Sequence, residues 1–334
     1  MCTSFRVTAT DGSVVVGRTM EFPNAMQTKI TVLPRGFDGT GIGVDGPGKT
    51  WRSTYGVVGM DVFGYPDMFT DAMNEKGLYA GLLYMPGFCD YTSADGADPA
   101  TLMSVVKVIA FMLGTCATVA EARAAMSGVT VWPWVLDQFG FAPPAHLVVH
   151  DPSGSSVVFE WANGELVSSG NPIGVACNWP HLDWHLTNVR NYLNLSVRNP
   201  SPITIDGVEL SAMGQGAAMH GLPGDSSSPS RFVRAVAFTS SLRPVDSSGE
   251  LEKTALHILN NFDIPEGFTR DDDAPANDDH TLWSSIANLA DLRYTIRTYD
   301  NPIPQVVELG QVDFNGSAPR QVDLPDGGFA TLAV

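Results

Sequence analysis

The sequence predicts an α+β sandwich with layered sheets. Strand-like runs follow one another in antiparallel-looking groups, and helical segments arrive in blocks between them. A doubly wound parallel sheet would need strict βαβ alternation, which the chain lacks. The N-terminus supplies a second observation. TSFRVTAT, the turn Asp11-Gly12 and SVVVGRTMEF place a DG dipeptide between β-branched residues, a strong hairpin signal.

A turn-rich region follows the hairpin to about Gly48, and GLYAGLLYM reads as a strand running towards Pro86. Two helices come next. One spans Thr101 to about Leu113; the other is capped by Thr118, with Glu121 at its third position. Beyond the Pro-rich stretch around Pro143, AHLVVHD, SSVVFEW and GELVSS read as successive strands separated by the turns DPSG and ANG. IGVACN is a short apolar strand. HLDWHLTNVRNYLNL has helical spacing, with Leu182, Leu186, Val189 and Leu193 on one face. SPSRFVRAVAFTSSL starts another helix, with Ser228 as N-cap and Pro229 at its first position. ELEKTALHILNNF is a third amphipathic segment, and TLWSSIANL, RYTIRTY and QVVEL close the chain as strands. No low-complexity linker interrupts this order, so a single domain over residues 1–334 is expected.

A chain of 334 residues has ample length to bury a core. Its formal charge of -17 would repel phosphate backbones and anionic leaflets, which argues against nucleic-acid and membrane-surface roles. The four cysteines, Cys2, Cys89, Cys116 and Cys177, form no CxxC pair, a pattern that suits free thiols in a reducing compartment. LMSVVKVIAFMLGTCATVA is the most apolar segment. Ser104, Lys107, Gly114 and Thr115 interrupt it, and it predicts a buried core helix rather than a membrane span. No charged n-region precedes Cys2, so a cytoplasmic location is expected.

Cys2 raises a chemical question of its own. Cysteine is small enough for Met1 to be removed, which would place the thiol and a free α-amine on one carbon. An unperturbed α-amine titrates at about 7.7–8.0, close to working pH, so it can accept the thiol proton without a histidine. Arg18, on the partner strand of the hairpin, would favour the thiolate, and the Glu21 carboxylate would orient the amine. Taken singly, Cys2 also reads as a small buried hydrophobe and GRTMEF as an ordinary edge strand.

The blocks MCTSF, GRTMEF, DAMNEKGLYAGLLYMPG, CNWPHLDWHLTNVRNYLNL, GLPGDSSSPSRFVRA and YTIRTYDNP occur in this order up to about Pro302. Together they resemble the choloylglycine hydrolase family, the bile salt hydrolases and penicillin V acylases within the N-terminal nucleophile hydrolases. The resemblance implies a four-layer αββα sandwich, with Cys2 at the open end between two antiparallel sheets. It also implies Cys2 as nucleophile, its α-amine as base and Arg18 as the arginine flanking it. Glu21 falls where the family usually carries aspartate. Asn178 matches the asparagine that donates to the oxyanion, and Arg231 matches the second active-site arginine. Tyr84 stands where bile salt hydrolases often have asparagine and penicillin V acylases have tyrosine. Its N–H would complete the oxyanion hole and its ring would line the acyl pocket, although a strand aromatic filling a core fits the same residue.

Hydrolysis of a linear amide is therefore expected, without metal or organic cofactor. Met20, Phe22, Phe63 and Tyr84 suggest an apolar or aromatic acyl group if they line the pocket rather than the core. Penicillin V and long-chain N-acyl homoserine lactones fit that description, and conjugated bile salts come third. A catalytically silent homologue that binds an acyl ligand is the alternative of another class. Relatives imply a homotetramer. His181 and His185 are one helical turn apart, a zinc-compatible spacing, but they lack the HExxH glutamate. DDDAPANDD lacks the glycine and terminal glutamate of a calcium loop and reads as a solvated acidic loop. GDSSSPS shapes the turn before the Arg231 helix, and His146, His150, His220 and His257 read as scattered structural or surface residues.

Overall fold

The computed structural model describes residues 1–23, 26–270, 278–324 and 327. Its opening hairpin forms as the sequence predicts. β1 (Cys2–Thr8) pairs antiparallel with β2 (Val14–Phe22), with Cys2 opposite Met20 and Ser4 opposite Arg18. Gly12 takes a φ of 87° in the turn, a conformation that costs glycine nothing. The Ser13 N–H donates to Asp11 Oδ1 at 2.8 Å, closing the loop. Val14, Val15 and Val16 are all buried although strand side chains alternate, because both faces of this sheet are covered.

Numbering only the strands of the two large sheets, the chain continues with β3 (Ile30–Leu33), β4 (Val57–Val62), β5 (Tyr65–Asn74), β6 (Tyr79–Tyr84) and β7 (Ala145–His150). It goes on through β8 (Ser156–Ala162), β9 (Glu165–Gly170), β10 (Val175–Ala176), β11 (His280–Asn288), β12 (Arg293–Thr298), β13 (Gln305–Glu308) and β14 (Arg320–Val322). One sheet has the order β10-β1-β2-β11-β12-β13, the other β9-β8-β7-β6-β5-β4-β3-β14. Every neighbouring pair in both is antiparallel.

Helix α1 (Val105–Thr115) packs against β5, while α4 (Ser228–Ser240) and α5 (Ser248–Leu259) cover β1 and β2. The result is the αββα sandwich. Helix α2 (Val119–Met126) begins as expected, with the Thr118 hydroxyl accepting from the Glu121 N–H at 3.2 Å. Lys107, the charge that interrupts the apolar run of α1, reaches Asp67 at 2.5 Å. No helix among the described residues is long and apolar enough to cross a membrane.

The structure departs from the local reading in four places. The turn-rich region contains β3 and a small hairpin, Asp38–Ile42 with Pro47–Arg52. Its glycines serve close approach: a Cβ on Gly39 would lie 2.1 Å from the Trp51 ring. Helix α1 starts at Val105 rather than Thr101, because Leu102–Met103 pairs as a strand with Thr130–Val131. Ser227, not Ser228, caps α4. Helix α3 (Leu182–Val189) ends early and leaves Leu193 79% exposed; its buried residues are Leu182 and His185, the latter stacked on Phe232 with ring centroids 4.5 Å apart. Within the acidic run, residues 271–277 lie outside the described residues.

The hairpin depends on one tight contact. A Cβ at Gly17 would sit 2.4 Å from Cζ of the fully buried Phe5 ring. Gly17→Ala should therefore destabilise the protein by about 1–3 kcal/mol through overpacking. Urea denaturation measures this, and an unchanged midpoint would contradict the packing described.

Candidate active site

Alternation along β2 sorts its side chains onto two faces. Arg18 and Met20 point between the sheets, beside the sulfur of Cys2. Cys2 Sγ lies 3.4 Å from Met20 Sδ and 3.7 Å from Arg18 Nη2. Arg18 is 1% exposed, yet it is held from several sides. Nη1 donates to Asp71 Oδ1, and Nη2 donates to the Leu82 carbonyl at 2.5 Å and lies 3.3 Å from Met20 Sδ. Burial opposes the charge on Arg18, but the fields of Asp71 and Cys2 outweigh it, so the pKa is raised and the guanidinium stays protonated.

Asp71 was not among the residues the sequence singled out for chemistry. It opens the block DAMNEKGLYAGLLYMPG, and its signal was available: an acidic residue in the middle of a strand, MFTDAM, whose other members are mostly apolar. The carboxylate is fully buried. Besides Arg18 it accepts from Ser285 Oγ at 2.6 Å and from the Tyr294 hydroxyl at 2.6 Å.

The opposite face holds the main chain of Cys2. Arg231, fully buried on α4, donates to the Cys2 carbonyl, to Thr3 Oγ1 at 2.8 Å and to Asn178 Oδ1 at 2.5 Å. The same Asn178 oxygen accepts from the Cys2 N–H at 2.7 Å, and Asn178 Nδ2 donates to the Tyr84 carbonyl at 2.7 Å. A guanidinium on one end and a carbonyl on the other fix the sense of this amide. Glu21 also lies on this face. It is fully buried, and its Oε1 accepts from Thr281 Oγ1 at 3.2 Å. Burial pushes the Glu21 carboxyl up, against the pull of Arg231 and the N-terminal amine. The Met1 amine donates to the Glu21 main-chain oxygen at 2.5 Å and to Asp279 Oδ2 at 2.9 Å.

An apolar cavity walled by Met20, the side chain against the sulfur, lies where β5 and β6 separate. Their pairing runs only from Asp71↔Gly81 to Met73↔Tyr79. Beyond it the Leu82 and Tyr84 carbonyls turn to Arg18 and Asn178, and the cavity of about 50 Å³ lies beside them. Met20, Phe22, Phe69, Leu82, Tyr84 and Phe139 are among its walls. Phe22 meets Tyr84 edge-on at 6.0 Å. Phe63, expected in the pocket, is not among the lining residues; it packs behind Phe139 with centroids 5.3 Å apart. The other three cysteines are poor thiolates: burial pushes Cys89 and Cys177 up to about 11 and raises Cys116 as well.

His181 and His185 diverge. His181 Nδ1 lies 3.6 Å from Glu160 Oε1, whereas His185 stacks on Phe232, and burial first of all lowers its pKa to about 4. No group of three His, Cys, Asp or Glu side chains among the described residues is arranged to hold a metal ion.

Two antiparallel sheets between helices define an N-terminal nucleophile hydrolase fold. The chain belongs to the choloylglycine hydrolase family of linear amide C–N hydrolases, whose family model matches residues 2–322. It is 27% identical to the bile salt hydrolase/transferase of Clostridium perfringens over 95% of each chain. It is 26% identical to the penicillin V acylase of Pectobacterium atrosepticum, over 93% of this chain and 81% of that one. A solved C2A mutant of conjugated bile acid hydrolase from Clostridium perfringens shares its fold with a TM-score of 0.86, at 26% identity and 100% coverage of both chains.

The raised carboxyl of Glu21 has a signed consequence. A folded-state pKa above the unfolded value of about 4.3 means that ionisation costs stability as pH rises past that value. Glu21→Gln cannot ionise. It should melt above the parent at pH 7, and the advantage should vanish as the pH falls to about 4. Thermal melts across this range check the sign; a lower melting temperature at pH 7 would show that Arg231 and the amine outweigh burial.

Proposed function

We propose that the protein hydrolyses linear N-acyl amides with apolar or aromatic acyl groups, in the manner of a penicillin V acylase, through Cys2. One observation carries the reading: the Cys2 sulfur lies against Arg18 and against Met20, a wall of the apolar cavity, while Asn178 and Arg231 hold the Cys2 main chain. Removal of Met1 frees the α-amine of Cys2, which takes the thiol proton directly or through water. The thiolate attacks the amide carbonyl. One Asn178 Nδ2 hydrogen and the Tyr84 N–H receive the oxyanion; the second Nδ2 hydrogen keeps its bond to the Tyr84 carbonyl. The protonated amine then gives its proton to the leaving nitrogen, the C–N bond breaks, and water hydrolyses the thioester. Glu21, one methylene longer than aspartate and buried beside the N-terminus, holds the amine rather than the sulfur. The scheme uses no metal or organic cofactor.

The aromatic wall of Phe22, Tyr84 and Phe139 supports an aryl or aliphatic acyl group in the cavity. Conjugated bile salts are the second reading, favoured by the bile salt hydrolase/transferase relative that spans 95% of the chain. A silent acyl-binding homologue would retain Met1. We also propose a homo-oligomer of identical chains. The hairpin Ile203–Ile205 with Val208–Leu210 exposes Ile203, Ile205, Val208 and Leu210 together, a contiguous apolar patch of the kind that marks protein–protein contacts.

Hydrolysis of penicillin V, glycocholate and a long-chain acyl homoserine lactone, measured side by side, tests the substrate, with intact mass reporting Met1. Turnover of penicillin V should be highest, and Cys2→Ala should lose about three orders of magnitude or more. Full activity in Cys2→Ala, or Met1 retained on all molecules of an active preparation, would overturn the mechanism. For the assembly, Ile205→Asp with Val208→Asp should lower the mass seen by sedimentation; an unchanged mass would place the contact elsewhere.

A further inference from the structure

We propose that Asp71 is a positioning residue that fixes the Arg18 guanidinium against the Cys2 sulfur and cancels its charge there. This deepens the reading of Cys2 as the attacking thiol and rests on it.

Asp71 stands on β5 of the eight-stranded sheet, while the groups that hold it come from the six-stranded sheet: Arg18 on β2, Trp283 and Ser285 on β11, and Tyr294 on β12. Ser285 and Tyr294 each donate to Oδ2 at 2.6 Å, leaving Oδ1 for Arg18, with Trp283 Nε1 at 3.5 Å. A carboxylate with donors on both oxygens is held in one orientation against the guanidinium. Tyr79, fully buried nearby, keeps its phenol proton because burial raises its pKa. Among the described residues Arg18 is the cation paired with Asp71, and Asp71 is the anion nearest Arg18.

The charge balance bears on the nucleophile. An unbalanced guanidinium 3.7 Å from the sulfur would stabilise the thiolate strongly. That stabilisation has two opposed effects: more thiolate at a given pH, but a weaker nucleophile, since reactivity falls with basicity with a slope of about 0.4–0.5. With Asp71 present, Arg18 orients the sulfur without draining its reactivity. Arg231 acts on the Cys2 carbonyl, and Glu21 lies on the far face of β2. The α-amine freed by removal of Met1 is common to the parent and every variant, so a difference in midpoint between them reports Asp71.

The test is the pH profile of Cys2 alkylation by iodoacetamide, followed by mass on the full-length protein with Met1 removed. Asp71→Asn keeps the shape and loses the charge. Its alkylation midpoint should fall by about half a unit to one unit, and its high-pH plateau by about twofold to threefold. Asp71→Glu, which keeps the charge, should restore the parent midpoint. A purely structural carboxylate would lower the melting temperature in both variants and move neither midpoint, and that result would overturn the proposal. If Asp71→Asn does not fold, Tyr294→Phe serves instead. It removes one donor from Oδ2, leaves more negative charge on Arg18, and should move the midpoint to higher pH; an unmoved midpoint again overturns the proposal. The alkylation profile needs no substrate, so it stands apart from the Cys2→Ala activity test: a midpoint that shifts in a protein without amidase activity would sink the function and spare the electrostatics.

Discussion

The contact between Arg18 and Asp71 joins the two sheets at the point where the sulfur sits. Two charges removed from water cost several kcal/mol each unless geometry and further hydrogen bonds compensate. Here they are compensated from both sides, by the Leu82 carbonyl on the guanidinium and by Ser285 and Tyr294 on the carboxylate. Losing either partner would leave the other charged and dry. The spacing of the sheets, the direction of Arg18 and the environment of Cys2 are thus one constraint, and the cavity beside them inherits its position from it.

Strand geometry then divides the chemistry. Because β2 alternates, Arg18 and Met20 build a pocket for the sulfur while Thr19 and Glu21 face away from it, beneath the N-terminus. A residue at the head of β1 presents its side chain to one compartment and its main chain to the other. Asn178 and Arg231 reach the main-chain side from β10's end and from α4, and neither touches the sulfur. Glu21, desolvated and raised, suits the amine side, where its partners are cationic.

The cavity comes from an interrupted ladder. β5 and β6 pair over three residues and then part, and the freed carbonyls of Leu82 and Tyr84 accept from the side chains of Arg18 and Asn178. Separation at this point opens an apolar slot while the Leu82 and Tyr84 carbonyls keep partners. The aromatic side chains that surround it make a wall suited to flat or aliphatic groups, while the formal charge of -17 is spread over the protein and offers an anionic substrate no long-range attraction.

Local physics determined much of this from the sequence. The DG turn and its flanking β-branched residues set the hairpin, Thr118 with Glu121 set a helix start, and the six blocks in register identified the family and marked Cys2, Arg18, Glu21, Tyr84, Asn178 and Arg231, which the fold gathers around the N-terminus. These features rest on neighbours a few residues apart or on motifs that survive intact. What needed the tertiary structure was partner choice. Asp71 looks like one acid among many until the second sheet lays Arg18, Ser285 and Tyr294 on it. Phe63 lies near the pocket in expectation but turns behind Phe139, and the leucine stripe of α3 yields to His185 stacking on Phe232. Contacts between residues distant in the chain form only when whole sheets and helices pack, and no local pattern encodes which of them will meet.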